Sequence, residues 1–278
     1  MTGLDVGLDL DLERARAVAI EAAEIAVEVL RSTPLGHVRR KAHAADVVTD
    51  VDTATERAVR DHLALAFPEH QVVGEEYGGR ADGGPTWYCD PVDGTTNLAS
   101  RLPWTSFSLS LAVGHEPLVG VVADPWRGEI LHAVRGGGAW RRAAGGEADE
   151  AVHAAATDRL EGAVVMSEWA AHVPFPGQIT LLAALGERHC TMRVMGSGTL
   201  SVASVAAGRA AGAVIGDFHA EDHLAAVLIG HESGAVLRGF GRGQEEDGLW
   251  PEPGPFVLAA SGVAEVLTGL VREACAVR

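Results

Sequence analysis

Apolar residues recur at helical spacing over residues 12–30, in a stretch rich in Ala and Glu that stops short of Pro34. This pattern predicts an amphipathic helix. Residues 38–45 are polar and basic and predict a mobile loop. A second helical pattern covers 53–67, with Asp52 or Thr53 as its N-cap. Gln71-Val72-Val73-Gly74 reads as a short strand running into Glu75 and Glu76, with a glycine-rich loop at 78–84. Thr86-Trp87-Tyr88-Cys89 reads as another strand, ending in a turn at Asp90-Pro91-Val92-Asp93-Gly94. Thr95, Thr96 and Asn97 then suit a helix start. Runs at 107–113, 118–123 and 130–134, separated by Gly- and Pro-containing turns, predict an antiparallel meander. A glycine-rich turn, Gly136-Gly137-Gly138, precedes one more short strand.

Beyond residue 150 the pattern changes. Strands are predicted at 162–167, 192–195, 211–215, 235–237 and 256–260, and helices at 178–185, 196–208, 222–231 and 263–275. Strand and helix alternate, which is α/β, whereas the first half looks α+β. The expected organisation is therefore an α/β protein in two halves, 1–150 and 151–278, with a boundary in the Ala-, Gly- and acid-rich stretch at 145–157. Residues 244–255 form a low-complexity loop, and there is no internal repeat.

Composition narrows the function. The 278 residues are 47% hydrophobic but only 5% aromatic, so a large core must be built from Ala, Val and Leu. A net charge of −16 with no compensating basic block argues against nucleic acid and anionic membrane as partners. The same acidity repels a phosphate substrate unless metal ions mediate. Cys89, Cys190 and Cys275 are widely spaced and form no CxxC motif, which fits a reducing compartment. Residues 1–12 are acidic and lack the basic and apolar regions of a secretory signal. No apolar run reaches the roughly 18 residues of a membrane span. The expected location is the cytoplasm.

The candidate chemistry lies in acids at the ends of predicted strands. Asp90 and Asp93 flank Pro91 just before Gly94, and carboxylates beside free helix-start amides make a place for a divalent cation and a phosphate to meet. A hydrated acidic turn would look the same in isolation. Glu75 and Glu76 are open between an acidic loop and a metal ligand on a rigid frame. Asp46, Asp50 and Asp52 form a further acidic segment, with Asp52 open between helix cap and catalytic group, and Lys41 before it open between solvated charge and site residue. His219 and His223 stand four apart, but the Glu does not follow the first His as in HExxH, so a zincin site is rejected. Gly196-Ser197-Gly198 is not GxSxG, and no GxGxxG or Walker loop is present.

Taken together, these blocks resemble the inositol monophosphatase family of lithium-sensitive, magnesium-dependent phosphatases. The resemblance rests on Val73-Gly74-Glu75-Glu76, on Asp90-Pro91-Val92-Asp93-Gly94-Thr95-Thr96-Asn97, and on Glu221-Asp222-His223-Leu224-Ala225-Ala226 with Glu232 and Gly234 beyond. The acidic segment 46–52, Lys41 and Gly196-Ser197-Gly198-Thr199 extend it to nearly the whole chain. It implies the layered αβαβα sandwich of that family, usually as a homodimer. It further implies two or three Mg²⁺ ions. Glu75, Asp90 and the Val92 carbonyl would hold the first, and Asp90, Asp93 and Asp222 the second. A third would lean on Glu75. The amides of Gly94 and Thr95 would bind phosphate, with Gly198 and Thr199 on the substrate side. Thr95, backed by Asp52 and aided by Glu75, would orient the attacking water. Lys41, Glu76 and Glu221 are possible accessories. The partner implied is a small phosphate ester.

Hard oxygen ligands suit Mg²⁺ over Zn²⁺, and four packed carboxylates need cations to stay ionised together. Two positions depart from the family pattern. Glu221 stands where a Trp is usual, and Ile215 where inositol phosphate-using members carry a hydroxyl-binding Glu. The implied substrates therefore widen to other cyclitol or sugar phosphates, histidinol phosphate, fructose 1,6-bisphosphate and 3′-phosphoadenosine phosphates. A non-catalytic regulatory homologue is the competing expectation.

Overall fold

The structure is a computed structural model that describes residues 10–42, 44, 46–169, 174–241 and 248–276. Most of the acidic start, residues 43 and 45 of the basic segment, and 244–247 of the low-complexity loop lie outside the described residues.

The chain opens with α1 (Leu12–Ser32), capped by the Asp11 carboxylate on the Arg14 N–H, and stripes of Ala, Ile and Val form its buried face. Strands β1 (Arg39–Arg40) and β2 (Val47–Val48) pair antiparallel, so the basic segment contributes a two-stranded ladder where a loop was expected. Helix α2 (Asp50–Ala66) starts three residues earlier than its pattern predicts. Thr49 is its N-cap, and Asp52 is the third residue of a capping box that accepts the Thr49 N–H at 2.9 Å. The apolar period begins only at Val51, which is why the acidic first turn is invisible to a hydrophobic count.

A seven-stranded sheet follows, built from β3 (Gln71–Gly74), β4 (Pro85–Asp93), then β5 (Ser106–Val113), β6 (Glu116–Asp124), β7 (Glu129–Val134), β8 (Ala139–Ala143) and β9 (Asp149–Ala151), with the short helix α3 (Thr95–Ala99) between β4 and β5. Its strands pair in chain order, and only β3 and β4 are parallel. Two features differ from the sequence expectation. Strand β4 does not stop at Cys89 but continues through Asp93, with a register shift against β5 between Asp90 and Asp93. Pro91 has no N–H for the ladder, and the Asp90 carboxylate takes the Val92 N–H at 2.9 Å, so the irregularity is satisfied locally. Strand β9 lies inside the stretch expected to be a boundary. It is pinned by charge rather than apolar pattern, because Arg142 grips Asp149 with two bonds of 2.7 and 3.0 Å.

The second sheet comprises β10 (Val164–Ser167), β11 (Thr191–Val194), β12 (Gly212–Ile215), β13 (Ala235–Gly239) and β14 (Phe256–Ala260), in the order β11-β10-β12-β14-β13. Helices α4 (Gln178–Glu187), α5 (Gly198–Ala206), α6 (Ala220–Glu232) and α7 (Ala264–Ala276) complete the chain. Three buried clusters define the layers. One joins α1 and α2 to the first sheet. A second packs α5 and α6 between the two sheets. The third joins the second sheet to α4 and α7. The result is an αβαβα sandwich. The middle helices are apolar on nearly all sides: every residue of α5 is buried, as expected for a helix covered by sheets on both faces. Where α6 crosses the first sheet, a Cβ on Gly120 would lie 2.7 Å from the Ala225 carbonyl, so the close approach needs glycine. Among the described residues no helix is long and apolar enough to cross a membrane.

Candidate active site

Six parts of the chain meet at one cleft of about 280 Å³, where the ends of β2, β3 and β4 face Trp169, Gly196 and the N-termini of α3 and α6. Glu75, Asp90, Asp93 and Asp222 line it together with Val92, Gly94 and Thr95. The acidic groups singled out in the sequence, separated by up to about half the chain, thus share one cavity. Gly94 at φ +88° makes the turn from β4 into α3, and a Cβ there would sit 3.0 Å from the carbonyls of Gly196 and Trp104. No other residue fits that conformation and that space without strain.

Each carboxylate is held differently. Asp90, 2% exposed, uses one oxygen on the Val92 N–H. Asp93 accepts hydrogen bonds from the Thr199 N–H at 2.9 Å and from the Ser197 and Ser106 hydroxyls. The Thr199 hydroxyl in turn donates to the Asp222 carbonyl, tying the α5 and α6 N-termini together. Gly198 and Thr199 are therefore buried outside the cleft lining, with Thr199 bonded to Asp93 and Asp222, while Gly196, Asn97 and Trp169 form the cleft wall. Glu75 projects from the turn after β3, where the Lys41 ammonium contacts it at 2.8 Å and Glu76 at 2.5 Å. Asp52 lies beneath the cleft, fully buried. Its Oδ1 accepts the Thr95 hydroxyl at 2.8 Å, and the same hydroxyl lies 2.9 Å from the Val92 carbonyl. Glu221 is partly exposed beside Asp222, outside the cleft lining. Ile215 is wholly buried in β12, opposite Phe256 of β14, and offers the cleft no polar atom.

The electrostatics follow from this crowding. Burial, then the charges of Glu75, Asp222 and Asp93, push the Asp90 carboxyl well above the ordinary range. Burial and the charges of Glu75 and Asp93 do the same to Asp222. Burial also raises Asp93 and Asp52, opposed in each by the hydroxyl and amide hydrogen bonds just described. Partial burial raises Glu76 against the pull of Lys41. Partial burial alone would lower Lys41, but its bonds to Glu75 and Glu76 prevail and hold it above the usual lysine value. Such a cluster cannot ionise fully without positive charge in its midst. Its donor set, carboxylates and one main-chain carbonyl, fits a hard divalent cation. As the side chains stand, no three Asp, Glu, His or Cys groups among the described residues converge to form a closed cage. Lys41 engages Glu75, and Asp93 is turned toward Ser197 and Thr199.

Sequence reasoning missed Glu168. It follows β10 at a strand end, the same signal that singled out Glu75, and Trp169 next to it lines the cleft. Burial, then the charges of Asp93 and Asp217, raise its carboxyl from the ordinary 4.5 to about 8. A carboxyl raised on folding makes the folded state bind more protons than the unfolded one, so stability falls as pH rises between the two pKa values. For Glu168 that window runs from 4.5 to about 8. In chelator, the melting temperature of the parent relative to Glu168→Gln should fall as pH rises from 5 to 8. A difference between the two proteins that stays constant over that range would exclude this role for Glu168.

His219 and His223 do not form a ligand pair. The His219 N–H donates to His223 Nδ1 at 3.2 Å, and burial, with His219 nearby, lowers the His223 imidazole to about 3.

Residues 11–275 match the family model described as the inositol monophosphatase family. An inositol-1-monophosphatase from Mycobacterium leprae is 32% identical over 275 residues, covering 96% of this chain and 92% of that protein. Inositol monophosphatase 2 from Solanum lycopersicum is 39% identical over 131 residues, 44% of this chain, and the match spans about half (49%) of the tomato protein. Among solved structures, Mycobacterium tuberculosis SuhB superposes with a TM-score of 0.77 at 29% identity, covering 97% of this chain and 100% of that one.

Proposed function

The chain belongs to the inositol monophosphatase family, and from that premise we propose that it is a Mg²⁺-dependent phosphomonoesterase acting on a small cyclitol, sugar or related phosphate. The observation that carries the proposal is the meeting of Glu75, Asp90, Asp93 and Asp222 in one cleft beside the Gly94 turn. Glu75, Asp90 and the Val92 carbonyl would hold one cation, and Asp90, Asp93 and Asp222 a second. Mg²⁺ bound there supplies positive charge to ionise the carboxylates, acidify water and offset charge on the leaving oxygen.

The chain's own groups do the rest. The amides of Gly94 and Thr95 at the start of α3 receive phosphate oxygens. The Thr95 hydroxyl, already donating to Asp52, points a lone pair at the attacking water and accepts its proton as Asp52 takes the hydroxyl proton. Attack in line with the leaving oxygen needs no covalent phosphoenzyme. Ser197 is not the nucleophile in this scheme, since its hydroxyl is buried and committed to Asp93. Lys41 and Glu76 steady Glu75. The buried aliphatic Ile215 gives a substrate hydroxyl no partner at that position, which weighs against myo-inositol 1-phosphate and toward the wider set of other cyclitol or sugar phosphates, histidinol phosphate, fructose 1,6-bisphosphate and 3′-phosphoadenosine phosphates. We place the protein in the cytoplasm as a homodimer.

A panel of these esters, assayed for phosphate release with Mg²⁺ and with chelator, tests the proposal. Mg²⁺-dependent turnover of at least one ester is expected, with inositol 1-phosphate not the best. Failure of every ester would leave the regulatory alternative standing.

A further inference from the structure

Among the described residues, the fully buried carboxylate of Glu56 takes no part in that chemistry. Glu56 lies on α2 one helical turn beyond Asp52, so the two carboxylates share a face. Its side chain is 0% exposed. It accepts the Glu76 N–H at 2.7 Å, the Tyr77 N–H at 3.2 Å and Arg60 Nε at 2.7 Å. Arg60 spends two further donors on the stems of the same turn, on the Val72 carbonyl at 3.2 Å and on the Gly78 carbonyl. The turn 75–77 is thus gripped by one helix at its entry, its tip and its exit. It also closes on itself, with the Gly74 N–H on the Gly78 carbonyl at 3.0 Å, and rests on β4 through the Glu75 N–H on the Cys89 carbonyl at 3.1 Å. Glycine at 74 is part of the fit, since a Cβ there would lie 2.1 Å from Glu56 Oε1.

We propose that Glu56, with Arg60, is a positioning residue pair that fixes the Glu75 turn and thereby sets the affinity of the cleft for Mg²⁺, without touching the ester. The bonds involved are charge-assisted and inside the protein, where such bonds are short and directional. They end on the two amides immediately after Glu75, so releasing them frees the backbone that aims its carboxylate. Residues that orient a metal ligand in this way typically carry a 10–100-fold effect on metal affinity. The inference rests on the cation-binding part of the function proposed above, not on the identity of the substrate.

Glu56→Gln keeps the shape but sets an NH₂ group against one of the two backbone N–H donors. The full-length variant should give a cooperative thermal transition. Its Mg²⁺ dissociation constant by titration calorimetry, and its half-saturating Mg²⁺ in phosphate release, should both rise about tenfold. The ester KM and kcat at saturating Mg²⁺ should stay within about threefold. A folded Glu56→Gln protein with the parent's Mg²⁺ affinity overturns the proposal, as does a loss confined to the ester KM. Should that variant fail to fold, Arg60→Lys reports instead. It keeps the charge beside Glu56 but loses the fork that holds both carbonyls, and should weaken Mg²⁺ in the same direction; unchanged Mg²⁺ affinity there is equally fatal. If the parent protein binds Mg²⁺ but hydrolyses no ester, the calorimetric comparison still decides the role of Glu56 while the proposed activity falls.

Discussion

Asp90→Asn should lower kcat/KM for Mg²⁺-dependent phosphate release by about 1,000-fold or more, while making the metal-free protein melt at a higher temperature. The two effects have one cause. Asp90 is the carboxylate shared by both proposed cation positions, and several kcal/mol of transition-state stabilisation pass through such ions; a thousandfold loss corresponds to about 4 kcal/mol. The same group is buried among Glu75, Asp93 and Asp222, and its pKa is pushed well above the ordinary range by burial and those charges. A neutral amide relieves that repulsion and still accepts the Val92 N–H through its oxygen. Steady-state kinetics and thermal melts, each with Mg²⁺ and with chelator, measure both halves. In Mg²⁺ the stability advantage should shrink, because only the parent protein gains from binding the ion. Retention of a tenth of the parent activity would remove the carboxylates from the mechanism.

The second large effect belongs to Thr95. Thr95→Val keeps the branched shape and removes the hydroxyl that links Asp52 and the Val92 carbonyl. We expect kcat to fall by about 100- to 1,000-fold, within the range for loss of a positioned proton-transfer group, with the ester KM and the Mg²⁺ requirement little changed. Thr95→Ser restores the hydroxyl and should recover kcat to within about tenfold. A Thr95→Val enzyme with near-normal kcat would show that water is activated elsewhere. Asp52→Asn is a poorer probe, because Asp52 also completes the α2 capping box with Thr49, and its loss would cost stability of about 1 kcal/mol.

The sequence made much of this legible where local chemistry and local pattern coincide. Helix α1 and the strands of the meander follow from periodicity alone. The acids at 75, 90 and 93 stood out because each ends a strand, whereas Asp222 entered only through the family resemblance. Where the two separate, the element is hidden from apolar spacing. The first turn of α2 is acidic and its cap is Thr49, so apolar spacing placed the start late. Strand β9 is held by Arg142 on Asp149, and cross-strand charge leaves no alternation to find. Strand β4 carries proline and two aspartates to its end, a composition that reads as a turn because its unpaired backbone group is satisfied by a side chain.

By itself, then, the chain determined its elements, its two successive patterns of strand and helix, and the residue types available for chemistry, because these depend on neighbours within a few positions. Only the folded structure decided that Thr199 braces Asp93 and Asp222 from outside the cleft lining, that Glu168 joins the acidic cluster, and that Glu56 reaches across to the Glu75 turn. Those relations join residues 20 to 106 positions apart. Burial and charge at such distances are set by how the layers stack, and no spacing along the chain encodes them.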